Sequence, residues 1–131
     1  MKPISLTIEA FGPYRDSVIL DFNQLQDHSM FLIFGPTGAG KTSILDAMVY
    51  ALYGEPSGEV RKTDAIRSDF AEPERMTRVD FSFAIGEAQY RVERLPKQMV
   101  AKKRGTGMRE QNASATVYEM KDGEWKVIAT S

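Results

Sequence analysis

Gly35-Pro36-Thr37-Gly38-Ala39-Gly40-Lys41-Thr42 fits the pattern G-x-x-x-x-G-K-[ST]. The chemistry open to such a run is anion binding. Gly35, Gly38 and Gly40 admit close backbone approaches that a Cβ would block. Successive N–H groups can then turn into one concave site, with Pro36 stiffening the loop and Thr37 and Ala39 inside it. Unsatisfied amides at a helix start, over Lys41 to Ser43, add donors and a favourable dipole. Lys41 can reach the β- and γ-phosphates of a nucleoside triphosphate, and the Thr42 hydroxyl can ligate Mg²⁺.

Two elements must hold that loop. Met30-Phe31-Leu32-Ile33-Phe34 is continuously apolar, as expected of a strand buried on both faces. After the loop, Ile44, Leu45, Met48, Ala51 and Leu52 recur at helical spacing, which predicts a helix from about Lys41 to Tyr53 ended by Gly54. A strand before and a helix after the loop separate this pattern from a chance glycine-rich turn.

Elsewhere the period is that of strands. Ile4, Leu6 and Ile8 alternate with polar residues, Gly12-Pro13 turns the chain, and Val18, Leu20 and Phe22 predict a return strand of a hairpin. Residues 55–73, broken by Pro56, Gly58 and Pro73, read as irregular. Val79, Phe81, Phe83 and Ile85 form a strand whose phenylalanines belong to the core, and Gly86-Glu87 leads to a partner through Tyr90, Val92 and Arg94. Thr116, Tyr118 and Met120 turn at Asp122-Gly123 into Trp125 and Val127. The predicted class is α/β, a P-loop NTPase unit of strand and helix joined to an antiparallel β-sheet, in one domain over 1–131.

Hydrolysis needs more than phosphate binding. No apolar run after Thr42 ends in Asp-Asp or Asp-Glu, and Val18-Ile19-Leu20-Asp21 precedes the loop. No Asn-Lys-x-Asp guanine reader is present. Arg61, Lys62 and Arg67 stand equally as phosphate clamps or as a solvated loop. His28 has no partner by spacing and reads as a surface residue, and Asp46, one turn after Thr42, reads as ordinary helix polarity, with a place near the Mg²⁺ site as the alternative.

Net charge is −1, so the whole chain is not a basic nucleic-acid binder. A basic stretch nonetheless holds Lys97, Lys102, Lys103, Arg104 and Arg109 against one acid, Glu110. It can contact DNA phosphates, or be a solvated hairpin loop with glycines at 105 and 107. No apolar run approaches the roughly 18 to 20 residues of a membrane span, and cysteine is absent, which excludes disulfides and thiolate metal sites and points to the cytoplasm.

From Ile33 through Ala47, and on through Tyr50-Ala51-Leu52-Tyr53-Gly54, the chain resembles the amino-terminal part of the SbcC family of SMC-like, ABC-type ATPases. The likeness continues through Ala65 to Ala71, Tyr90 to Arg94, Lys103-Arg104-Gly105 and the opening Met1-Lys2-Pro3 to Tyr14. It implies ATP with Mg²⁺, a head split into two lobes by a long coiled coil with a zinc hook, and a second head that closes on the first in a homodimer. It also implies a partner metallonuclease of the SbcD type acting on DNA ends and hairpins, with Tyr14 and Arg15 near the nucleotide base, although Tyr14 reads at least as well as a turn residue packed on the sheet. By the same resemblance the Q-loop, signature motif and Walker B carboxylates lie beyond Ser131, so the lobe alone is expected not to turn over ATP. Two other readings stand beside it: a self-contained P-loop phosphotransferase, and a regulatory module that binds nucleotide without hydrolysis.

Overall fold

A computed structural model of the chain describes residues 1–23, 41–55 and 66–131, and Lys41 by its backbone alone. The predicted strand over 30–34, the glycine loop as far as Gly40, His28, Arg61 and Lys62 lie outside the described residues.

The first hairpin forms as the alternation predicts. β1 (Lys2–Phe11) pairs antiparallel with β2 (Tyr14–Asp21), setting Leu6 opposite Leu20 and Ile8 opposite Val18. The register slips between Glu9 and Phe11, where Ala10 takes a positive φ of 49°. A left-handed alanine costs about 1–2 kcal/mol. Two donors on its carbonyl hold it there, the Thr77 hydroxyl at 2.7 Å and the Ser68 N–H at 2.8 Å.

Helix α1 (Lys41–Tyr53) has the predicted bounds. After it come β3 (Arg78–Ile85) and β4 (Ala88–Leu95), the short β5 (Gln98–Ala101) and β6 (Met108–Gln111), then β7 (Ser114–Lys121) and β8 (Glu124–Thr130). The described strands make one six-stranded antiparallel sheet in the order β2-β1-β3-β4-β7-β8, with β5 and β6 paired separately. Asp122 and Gly123 both take positive φ, 54° and 79°, as the two-residue turn between β7 and β8 requires.

One sheet face carries the core. Leu6 lies opposite Phe81, Ile8 opposite Val79 and Phe81 opposite Val92, and α1 packs across these strands. The helix meets them through Ala47, Tyr50 and Ala51, with Ser43 and Asp46 also buried. Small residues at helical spacing let the helix axis come close to the sheet, and Tyr50 fills the space beside Phe11, with ring centroids 6.3 Å apart. The apolar spacing over Ile44, Leu45 and Met48 therefore marks the flank of the buried stripe. Leu45, expected in it, is 55% exposed.

The other face is polar. Asp80 accepts hydrogen bonds from Arg78 and Arg91, and Glu93 accepts two from Arg78 at 2.9 and 2.6 Å. The Arg91 guanidinium also lies 4.8 Å over the Tyr118 ring. Two cations and two carboxylates neutralise one another, so this patch offers little net attraction to a polyanion.

Candidate functional site

The helix start is the described part of the site. The first amides of an α-helix have no partner within it. In α1 no acidic side chain lies in the first turn to neutralise them. Thr42 is exposed, whereas Ser43 beside it is buried. An exposed threonine at an amide-rich helix start without acids fits an Mg²⁺-bound polyphosphate, with Thr42 the residue that would hold the metal beside phosphate oxygens and water.

Asp46 corrects the sequence reading. It is 2% exposed, so it belongs to the buried side of α1 rather than to ordinary surface polarity. Its spacing of three from Ser43 and four from Tyr50, both buried, sets it on the same helix side as they are.

The remaining candidates fall in three places. Tyr14 opens β2 opposite Phe11, half-buried, and burial raises its phenol above the ordinary value. Arg15 beside it is exposed and pairs with Asp16 at 3.4 Å. Arg67, a possible phosphate clamp by sequence, bridges to Phe11 and donates from both Nη atoms to the carbonyls of Arg75 and Glu72. In this arrangement the guanidinium braces the 67–75 turn.

The basic stretch is a hairpin with structure of its own, because β5 and β6 flank the tip over 102–107. Sequence reasoning missed these strands, which are four residues each and mix polar with apolar side chains. Lys102, Lys103 and Arg104 are exposed at the tip and make no ion pair among the described residues. Lys97 instead pairs with Glu110 at 3.6 Å, and Arg109 donates to the Gln111 side chain at 2.9 Å. The stretch thus divides into an open tip and a neutralised base.

Among the described residues no helix is long and apolar enough to cross a membrane.

A family model described as "AAA domain" matches residues 5–127. The chain is 46% identical over 129 residues to the SbcC component of the nuclease SbcCD of Vibrio cholerae, a match covering 98% of this chain and 13% of that protein. It is 47% identical over 115 residues to the protein of the same name from Lactococcus lactis, covering 88% and 11%. The Staphylococcus aureus protein, again the SbcC component of SbcCD, is 39% identical over 127 residues, covering 97% and 12%. The chain therefore spans about an eighth of the length of the curated relatives it matches.

Proposed function

Because the chain belongs to the AAA-domain family of P-loop NTPases, we propose that it is the amino-terminal, ATP- and Mg²⁺-binding lobe of a DNA-repair ATPase that controls a partner nuclease. The observation that carries this reading is the start of α1 at Lys41, directly after the glycine loop, with Thr42 exposed and no acid in the first turn. Gly35 to Gly40 and Lys41 hold the phosphates in this reading, and Thr42 holds the metal. The bound nucleotide with Mg²⁺ supplies the electrophilic phosphorus; the residues of this chain bind and orient it.

The partners follow from the same reading. A carboxy-terminal ATPase lobe of the same protein supplies the hydrolytic carboxylates. It has an apolar surface to meet, since Leu45 and Tyr53, eight residues apart on α1, are 55% and 77% exposed. A second head closes a homodimer, the partner nuclease is of the type implied by the name SbcCD, and DNA ends and hairpins are the substrate. The assembly is cytoplasmic.

Titration calorimetry of the full-length protein with Mg-ATP tests the reading. Lys41→Ala removes a charge-assisted phosphate contact of about 1.5–3 kcal/mol, which weakens binding roughly 10- to 100-fold. Unchanged affinity refutes the site. Steady turnover by residues 1–131 alone favours a self-contained phosphotransferase instead, and binding by the full-length protein without any turnover favours a regulatory module.

A further inference from the structure

The two ends of α1 are held by different means. At its carboxyl end the last carbonyls need partners. Gly54 donates its N–H to the Tyr50 carbonyl at 2.8 Å, adopting φ +81° to do so. The next carbonyl, that of Ala51, accepts from Arg94 Nε at 3.0 Å. The helix has no basic residue in its own last turn, so β4 provides the cation that its negative end favours.

Arg94 fits that place closely. Its guanidinium carbon lies 6.0 Å from the Tyr50 ring centroid, and a Cβ on Gly54 would stand 3.0 Å from its Nη1. Its backbone is pinned on both sides, opposite Val79 in β3 and Ala115 in β7, in the interior of the six-stranded sheet. The arginine therefore joins a rigid sheet to one end of a rigid helix.

We propose that Arg94 is a positioning residue for the phosphate-binding end of α1, setting where Lys41 and Thr42 stand by fixing the helix along its axis. Ala51 lies ten residues from Lys41, roughly 15 Å along the axis at 1.5 Å per residue. A helix of this length moves as a rod, so slippage at Ala51 appears at Thr42. Phosphate and metal contacts tolerate only about 0.5 Å of misplacement. This proposal rests on the nucleotide reading above.

The test uses the full-length protein with Arg94→Met, Arg94→Lys and Lys41→Ala. The dissociation constant for Mg-ATP is measured well below the melting temperature of each variant, and melting is measured separately. Arg94→Met is expected to weaken Mg-ATP binding about tenfold while the protein is fully folded. Arg94→Lys keeps the charge without the forked donor and is expected to recover part of that loss. If Arg94→Met binds as tightly as wild type, however far its melting temperature falls, the arginine only stabilises the fold and the proposal is overturned. Should Arg94→Met fail to fold, Arg94→Lys decides by the same criterion, with an increase of about threefold in support and no change against. Lys41→Ala separates the two readings. Weak binding there with normal binding by the Arg94 variants removes only the positioning role, whereas normal binding by Lys41→Ala removes the nucleotide site and this proposal with it.

Discussion

The side-chain amide of Gln98 pairs with both backbone groups of Thr77, accepting its N–H at 2.7 Å and donating to its carbonyl at 3.0 Å. A side chain thus does for Thr77 what a neighbouring strand would do. Gln98 opens β5 and is 7% exposed, and the Thr77 hydroxyl in turn donates to the left-handed Ala10 at 2.7 Å. The base of the basic hairpin and the bulge in β1 are therefore tied through one buried threonine.

Gln98→Leu leaves a buried N–H and a buried C=O of Thr77 without partners. At about 1–3 kcal/mol for each of the two unsatisfied groups, the expected loss is roughly 2–6 kcal/mol. Urea denaturation of the variant beside wild type measures it. A change below about 0.5 kcal/mol, the level of an ordinary surface substitution, would show that water replaces the side chain at no cost.

Alkaline pH tests the burial of Tyr50. Burial pushes its phenol from 10.0 up to about 12, and the nearby charge of Arg94 pulls the other way by less. The unfolded chain releases this proton near pH 10 while the folded chain keeps it, so the unfolded state binds fewer protons above that pH. Stability from this group is complete below pH 10 and is lost as pH rises towards 12. Tyr50→Phe lacks the titration, so between about pH 10 and pH 12 its melting temperature falls less steeply than that of wild type. Parallel curves would contradict the shift.

The hairpin tip gives a test of DNA contact in the full-length protein. Reversing the charges of Lys102, Lys103 and Arg104 is expected to lower affinity at low salt. Each lost phosphate contact also flattens the plot of log affinity against log salt by about 0.9. Lys97 and Arg109 serve as the comparison, because Glu110 and Gln111 already engage them. Affinity and slope equal to wild type would remove the tip from the DNA surface.

Much of the fold was legible from local pattern. Strict alternation in β1, β3 and β4, the Asp122-Gly123 turn and the helix from Lys41 to Tyr53 appear where period and turn chemistry put them. These features depend on the residues next to them, so one sequence carries them. The motif over Gly35 to Thr42, proposed above to bind phosphate, is likewise a pattern of neighbouring residues.

What the sequence by itself determined is thus the longer described elements, without β5 and β6, together with the motif that points to phosphate and the resemblance it carries. Only the tertiary structure decided which side of α1 is buried, because Ser43, Asp46 and Ala47 face inward through close packing that apolar spacing does not encode. It alone turned Arg67 onto the carbonyls of Glu72 and Arg75, and brought Arg94 to the Ala51 carbonyl, 43 residues away in sequence. A long, many-donor side chain takes whichever acceptor the fold carries within its reach. Its partner is set by distance in space, which no local pattern records.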